Sequence, residues 1–425
     1  MINIFWRLLK SGISQIIRYF FDLIFFIFLP LAIIYSWLRF GLKKIFHLRP
    51  NVIVSPLGEP LPFNNVRALR AAGYKTDNVA YLCPRYFRSA SVGLILEDNF
   101  YLRMFVYLTD YIFLFLWAVL KYDFFEFAFS GGMLRNSHLR KLELPLLTFL
   151  GKKIVVYGHG ADCKVLSDIR KMGFKYNTAM DRNEKTERQS EKEIAENVAR
   201  AQKYADVLIA GGDLIHLGKK AIFLPIPADL EKWKNQPAKK HKNVVLIHST
   251  NHRLHKGTRF ILDTYDKIKH RLPVKLMLLE RKTLKECQKL YPLGDIMITD
   301  VITGWHGYTA IEAMAIGRPD ITYLRPDIMK FHSYYAKGRI PVVSANPDNL
   351  EKAIERLVKN KKLRGEIGKR GRVYAQKFHS LEFVGALRKI LYEYVWDGKK
   401  INQKIFEREV KKRRLINDKI LMSNV

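Results

Sequence analysis

The stretch DIMITDVITGWHGYTAIEAMAIGRPDITYL, residues 295–324, decides the fold of the chain. It begins with a short apolar run, residues 296–299, which is typical of a buried strand. A loop with Gly304 and Gly307 follows, and a compact segment rich in small residues then predicts a helix. Pro319 stops that helix, and a second short strand completes the stretch. The pattern therefore predicts one strand–loop–helix–strand unit of an α/β sheet.

The start of the predicted helix is suited to an anion. The first N–H groups of a helix have no partner within it, and the helix dipole is positive at that end. Glu312 lies one turn into the helix. Because a carboxylate repels a phosphate, we expect Glu312 to accept hydrogen bonds from sugar hydroxyls instead. An ordinary βαβ turn with Glu312 on a solvated face is the alternative.

Residues 307–319 match the pattern GxxxxEAMAxGxP. This motif resembles the donor-site signature of GT-B glycosyltransferases, in particular glycosyltransferase family 4. The resemblance implies that Glu312 binds the ribose of a nucleotide sugar. In that family a second Glu stands eight positions earlier, where this chain has Gly304, followed by Trp305 and His306. We interpret the difference as a variant donor-binding loop in an active enzyme.

Residues 243–268 predict a second strand, loop and helix, and the loop carries Arg253 and Lys256. Two cations beside a helix N-terminus could hold a pyrophosphate. The resemblance implies that Arg253 and Lys256 are the phosphate-binding pair, which with backbone N–H groups stabilises the departing diphosphate. The N–H groups expected to contribute are those of Gly307, Tyr308 and Thr309. A basic surface loop is the alternative.

Strands and helices also alternate in residues 50–228. The predicted strands are residues 51–54, 78–82, 123–127, 153–157, 206–210 and 221–224. This alternation predicts a parallel, doubly wound sheet. The resemblance adds the GT-B architecture, with two Rossmann-like domains facing across a cleft. The predicted parts are a membrane-anchoring segment (1–49), an acceptor domain (50–228), a linker (229–242), a donor domain (243–380), a crossover helix (381–396) and a basic tail (397–425).

Two places in this first half resemble functional parts of the family. The loop after the first strand resembles the acceptor-side loop of GT-B enzymes and carries Gly58, Asn64 and Asn65. A later strand is followed by His159, and relatives have a strand-end His that reaches the donor sugar. The resemblance thus implies a catalytic His159, which Asp162 would orient. A structural role for this histidine is the alternative.

Residues 19–38 form a nearly continuous apolar run, long enough to cross the hydrocarbon core of a bilayer as a helix. No small-residue cleavage site follows, which argues against a secretory signal peptide. Basic residues flank both ends, and Pro30 lies near the middle. The hypotheses are a span with the enzyme on the cytoplasmic side, a re-entrant hairpin with both ends cytoplasmic, or a buried helix of a soluble domain.

Two further segments bear on the membrane. Residues 101–120 are apolar but interrupted by Arg103 and Asp110, which favours a core or interfacial helix over a span. The tail from residue 397 onward is basic and amphipathic, so it either lies on an anionic membrane or is a disordered end.

The chain has 73 Lys and Arg residues against 40 acidic ones, a formal charge of +33, which predicts an anionic partner. No nucleic-acid-binding motif accompanies the charge, so lipid head groups and phosphorylated substrates are favoured. Cys83, Cys163 and Cys287 lack metal-ligand spacing and indicate a reducing compartment. No DxD-type carboxylate pair follows a strand, so we expect neither a metal nor another cofactor beyond the nucleotide-sugar substrate.

These observations predict transfer of a sugar from a nucleotide-diphosphate sugar to a glycan or lipid-linked acceptor. The resemblance implies retention of the anomeric configuration. The membrane features favour envelope polysaccharide assembly by an enzyme on the inner membrane, with its catalytic domains in the cytoplasm. A catalytically inactive sugar-nucleotide-binding or scaffold protein of the same fold is the alternative, since Gly304 replaces a Glu.

Overall fold

A computed structural model describes most of the chain. The described residues are 12–54, 60–78, 113–135, 137–158, 160–182, 190–218, 220–235, 242–336 and 340–415. They form two compact units. The first unit takes its described residues from Met1–Cys163, Ala195–Ile209 and Leu391–Ile401, and the second from Lys164–Ile194, Ala210–Ile390 and Asn402–Val425. The division does not coincide with the predicted linker at 229–242, because residues 164–182, 190–194, 210–218 and 220–228 belong to the second unit.

The first sheet is parallel, as the alternating pattern predicted. The strands in the first half of the chain are β1 (Val52–Val54), β2 (Thr76–Asn78), β3 (Phe124–Ala128), β4 (Lys153–Tyr157), β5 (Val207–Ala210) and β6 (Ala221–Phe223). The five strands that form the sheet of the first unit run in the order β2-β1-β3-β4-β5, and each neighbouring pair is parallel. Every residue of β3 is buried, as expected for a central strand covered on both faces.

The second sheet is also parallel and has four strands. They are β7 (Val244–Ser249), β8 (Val274–Leu279), β9 (Ile296–Asp300) and β10 (Asp320–Thr322), in the order β10-β9-β7-β8. Each neighbouring pair runs parallel. The carboxyl ends of β7 and β9 therefore lie side by side, and loops that follow parallel strands form the ligand sites of such sheets.

Helices cover the sheets. The described helices are Gly12–Ile45, Pro60–Ala71, 113–121, Glu143–Phe149, Leu166–Lys171, Glu191–Tyr204, Arg253–Lys256, Thr258–Ile268, Leu284–Leu290, Tyr308–Ala315, Pro326–Ala336, Leu350–Lys359, Lys361–Phe378, Leu381–Trp396 and Gln403–Lys412. Short 3-10 helices span His138–Lys141, Ala161–Cys163, Leu214–Leu217, Leu230–Lys232 and Tyr291–Leu293.

The stretch 295–324 folds as its sequence predicts. β9 is entirely buried, and the helix Tyr308–Ala315, called the Glu312 helix below, follows the glycine-containing loop. This helix packs closely on the helix Lys361–Phe378, because a Cβ on Gly368 would lie 2.2 Å from the carbonyl oxygen of Gly317. Gly368 and Gly371 of the helix Lys361–Phe378 thus permit this close approach.

The N-terminal helix, Gly12–Ile45, runs without interruption past Pro30. Its segment Asp22–Ile45 has a mean hydropathy of 2.1 and is the one described helix long and apolar enough to cross a membrane. The hairpin hypothesis is wrong for this structure, since proline removes a single backbone donor and the chain does not turn back there. One face of the helix is packed against the first unit, with Phe25 and Ser36 buried.

The tail differs from both of its predicted states over residues 403–412. The helix Gln403–Lys412 buries Phe406 and Val410, and its Gln403 side chain accepts a hydrogen bond from the backbone N–H of Phe223 at 2.9 Å. Its apolar face is therefore covered by protein and is not available to a membrane. Residues 416–425 lie outside the described part of the chain.

Candidate functional site

The Lys256 side chain lies at the N-terminus of the Glu312 helix. Lys256 ends the short helix after β7, and a Cβ placed on Gly307 would be 3.6 Å from its Nζ atom. Gly307 caps the Glu312 helix without any side-chain hydrogen bond to the first turn. An ammonium group and the positive end of a helix dipole thus meet at one point, and both favour an anion there.

Asp300 holds Lys256 in this position. Its carboxylate, fully buried at the end of β9, lies 3.0 Å from Lys256 Nζ. The same carboxylate accepts hydrogen bonds from the backbone N–H groups of Ile302 and Thr303, at 3.1 and 2.8 Å, and from the Thr303 hydroxyl at 2.6 Å. Asp300 therefore fixes both the cation and the loop before the Glu312 helix. In the sequence, Asp300 is marked only by its position directly after the apolar run 296–299.

Arg253, the other predicted phosphate ligand, is engaged elsewhere. Its guanidinium forms a two-point pair with the Glu280 carboxylate, with N–O distances of 2.7 and 2.6 Å. Arg253 is exposed, and this hydrogen bond lowers the pKa of Glu280. Each cation has a carboxylate partner, and what separates their roles is that Lys256 Nζ also lies beside Gly307 at the start of the Glu312 helix.

Glu312 is half-buried one turn further along. Burial raises the pKa of its carboxyl from 4.5 to about 8. Within the described part of the chain, no group forms a hydrogen bond with this carboxyl. Loss of hydration without replacement hydrogen bonds is costly for the charged form, so the carboxyl is poised to accept bonds from ligand hydroxyls.

Three neighbours of Glu312 were not predicted. The Tyr291 hydroxyl is hydrogen-bonded to Ser249 Oγ at 2.9 Å. Burial raises the pKa of Tyr291 and of the Cys287 thiol, and the nearby Glu312 charge adds to both increases. Ser249 ends β7, and strand-end position was the signal that could have identified it. Tyr291 and Cys287 carry no comparable sequence signal.

The loop before the Glu312 helix requires glycine at position 304. Gly304 has a φ of +95°, and a Cβ there would be 2.7 Å from Arg325 Cδ. The Arg325 side chain is held in place by two contacts. It forms a two-point pair with Asp327, and its guanidinium lies 3.8 Å from the centre of the Phe174 ring. The position where the family resemblance expects a second Glu therefore has no room for a side chain in this conformation.

Trp305 and His306, predicted to bind the donor, are buried in the second unit. Trp305 stacks on the His332 ring with centroids 4.0 Å apart. Burial lowers the pKa of His306 well below its usual value, and neither of its ring nitrogens has a hydrogen-bond partner among the described residues. Of the remaining predicted donor residues, the Tyr308 hydroxyl donates to the Pro227 carbonyl at 3.0 Å. Thr309 is partly exposed in the first helical turn.

The structure describes only some of the residues that were predicted to form sites in the first unit. Gly58 and His159 lie outside the described residues. Asn64 and Asn65 lie in a helix, not in the predicted loop, because the helix begins at Pro60, a residue favoured in the first helical turn. The Asn65 amide donates to Glu126 Oε1 at 2.8 Å, which gives it a structural partner.

Asp162 was expected to orient His159. Its carboxylate accepts a hydrogen bond from the backbone N–H of Phe129 at 3.0 Å. Among the described residues, no group of three or more His, Cys, Asp or Glu side chains is placed to hold a metal ion.

Comparison with solved structures identifies the fold. Sucrose-phosphate synthase from Thermosynechococcus elongatus is 13% identical, with a TM-score of 0.51 over 83% of this chain and 100% of the other. HepE from Anabaena, solved with UDP and glucose, is 11% identical, with a TM-score of 0.52 over 81% and 100%. A glycosyltransferase from Rickettsia africae is 12% identical, with a TM-score of 0.51 over 82% of this chain and 99% of the other.

The likeness confirms the predicted GT-B fold class. No protein-family model and no curated protein sequence matches the chain.

Proposed function

We propose that this chain is a glycosyltransferase that uses a nucleotide-diphosphate sugar as donor. The observation that carries the proposal is the position of Lys256 Nζ, next to Gly307 at the uncapped start of the Glu312 helix. A diphosphate bound there would meet an ammonium group and the backbone N–H groups of the first helical turn together. The likeness to HepE, which was solved with UDP and glucose, supports this choice of ligand.

The chemistry follows from the charges. When the bond between the sugar and the diphosphate breaks, negative charge grows on the leaving phosphate oxygens. Lys256 and the N–H groups at the start of the Glu312 helix would stabilise that charge in the transition state. Glu312 would accept hydrogen bonds from the ribose hydroxyls and so orient the nucleotide. His159 remains the predicted residue toward the donor sugar, and a retaining outcome and metal independence remain predictions from the resemblance.

We place the acceptor at a membrane surface. The long apolar N-terminal helix and the formal charge of +33 support a glycan or lipid-linked acceptor at an anionic membrane, with the catalytic units in the cytoplasm. Envelope polysaccharide assembly is the pathway class that fits these features.

Nucleotide binding and turnover test the proposal. The purified chain should gain thermal stability with UDP or GDP and should transfer label from the corresponding nucleotide sugar to a membrane extract. Binding without transfer to any extract would favour the inactive scaffold that Gly304 suggests. Absence of any stabilisation by nucleotides would contradict the proposed function.

We expect nucleotide binding to strengthen with pH. Ribose hydroxyls donate to an ionised carboxylate, and the pKa of Glu312 in the free chain is about 8, so binding near neutral pH must first release a proton. Raising the pH from about 6.5 to about 8.5 should lower the Kd roughly 20-fold, as measured by isothermal titration calorimetry. Glu312→Gln should remove this dependence. An equal pH profile for the two proteins would show that Glu312 does not bind the nucleotide.

A further inference from the structure

The N-terminal helix has two unlike surroundings. Its buried face repeats every three or four residues and packs on the first unit. The buried positions are Asp22, Phe25, Leu29, Ala32 and Ser36. The opposite face carries large apolar side chains that are more than half exposed. They include Leu23, Ile27, Leu31, Ile34, Leu38 and Leu42. Most exposed large apolar side chains of the described chain lie on this helix, so its outer face requires another covering.

The helix contacts the first unit along its length. Near its start, the Tyr19 ring stacks on His138, with centroids 5.3 Å apart, and Asp22 lies 3.6 Å from the same histidine. Near its end, the Lys44 ammonium lies 4.3 Å from the centre of the Trp396 ring. From Tyr19 to Lys44 the helix is about 37 Å long, which exceeds the hydrocarbon thickness of about 30 Å.

Two salt bridges hold the helix in place. Asp123, which is 2% exposed, pairs with Arg39 at 2.7 Å and with Lys43 at 2.8 Å, and it also accepts a hydrogen bond from the backbone N–H of Asn51. Detaching the helix would leave this carboxylate without its two cations, which is strongly unfavourable for a buried charge. A helix that crossed the bilayer while docked would carry these charged groups and the packed sheet with it.

We propose that the N-terminal helix lies in the plane of an anionic lipid bilayer and does not cross it. Its outer apolar face would enter the boundary between head groups and acyl chains by about 5–10 Å. Exposed Phe149, whose ring lies 5.8 Å from that of Trp37, extends the apolar surface onto the first unit. This geometry keeps both ends of the helix on the same side of the membrane.

Charge supports a lipid occupant. Basic residues flank the apolar run at both ends in the sequence, with Lys10 and Arg18 before it and Arg39, Lys43, Lys44 and Arg49 after it. Arg39 and Lys43 are paired with Asp123, whereas Arg49 is exposed. A span would place one basic group on the side of the membrane that such residues avoid, whereas an in-plane helix places both at the same head-group layer. The formal charge of +33 favours acidic lipids over neutral ones.

Vesicle flotation with the full chain tests the binding surface. The chain should float with vesicles that contain about one third phosphatidylglycerol and bind phosphatidylcholine vesicles at least 10-fold more weakly. The double variant Leu31→Asp and Leu38→Asp should lose at least 10-fold in binding, because both side chains are 65% exposed on the outer face. Val373→Asp, at a 39% exposed position in the second unit, is the matched control and should bind normally.

Labelling of the two helix ends tests the orientation. In a variant without native cysteines, a cysteine at residue 2 and one at residue 48, which flank the helix in the sequence, should both react with an impermeant maleimide from the outer face of vesicles to which the chain was added. Protection of one end would overturn the proposal in favour of a span. A stable dimer that buries the outer face and does not bind lipid would also overturn it.

The in-plane helix proposal and the proposed function can be contradicted independently of each other. The double variant should keep the thermal stabilisation by nucleotide shown by the unmodified chain, because both leucines are exposed residues of the first unit and the nucleotide site is built from residues of the second. A chain that binds lipid in plane but no nucleotide would contradict only the proposed function.

Discussion

Replacement of Lys256 with alanine should reduce glycosyl transfer by about 100- to 1,000-fold, the usual effect of removing one group that stabilises a developing anion. The ammonium lies where the Glu312 helix begins, and its charge matters most when the diphosphate leaves. We expect the loss mainly in kcat, with nucleotide binding weakened less. Initial rates with labelled nucleotide sugar at several donor concentrations measure both quantities.

Loss of Lys256 should leave the fold intact, so the activity change can be interpreted. Asp300 would lose its cation but keep hydrogen bonds from two backbone N–H groups and the Thr303 hydroxyl. Adding Asp300→Asn to Lys256→Ala should restore any lost thermal stability without restoring transfer. Lys267→Ala, on an exposed position of the helix Thr258–Ile268, is the matched control. Equal transfer by Lys256→Ala and Lys267→Ala would remove Lys256 from the site.

A glutamate introduced at position 304, where the family resemblance expects one, should lower the free energy of unfolding and should not increase turnover. Gly304→Glu would place a β-carbon 2.7 Å from Arg325 Cδ in a backbone conformation with a φ of +95°. Each of these two effects typically costs about 1–3 kcal/mol, so we expect a total loss of about 2–6 kcal/mol in the free energy of unfolding. Calorimetry should record a Tm lower by several degrees.

A second glycine provides the comparison for this variant. Gly365 lies in the helix Lys361–Phe378, and a Cβ there would meet no atom within 4 Å. Gly365→Ala should therefore stabilise the chain by roughly 0.5–1 kcal/mol, since alanine is the better helix former. Gly304→Ala should destabilise it. If Gly304→Glu kept the original Tm and increased turnover, the loop would accept a carboxylate and the variant-loop interpretation would be wrong.

Local patterns were sufficient for the second sheet. Apolar runs, small residues and the glycine before Pro319 specify β9, the Glu312 helix and β10, because each element depends on neighbours only a few residues away. The same reasoning failed at Asn64 and Asn65, where prolines that suggested a loop instead begin the helix Pro60–Ala71.

The site itself depended on contacts between distant residues. Asp300 reaches Lys256, 44 positions away, and Glu280 pairs with Arg253, 27 positions away. Nothing in the two cations' local sequence distinguishes them, so the sequence predicted a pair and the structure assigned them different partners. Tyr291 and Ser249 near Glu312 likewise come together only after the strands associate.

The sequence by itself determined the parallel α/β class, the helix that carries Glu312 after a glycine-containing loop and the apolar character of residues 19–38, since periodicity and composition act over short distances. Only the tertiary structure decided which cation meets that helix, why position 304 is glycine and which face of the N-terminal helix is left exposed. Each of those outcomes depends on packing and on buried charge, and both are set by groups far apart in the chain.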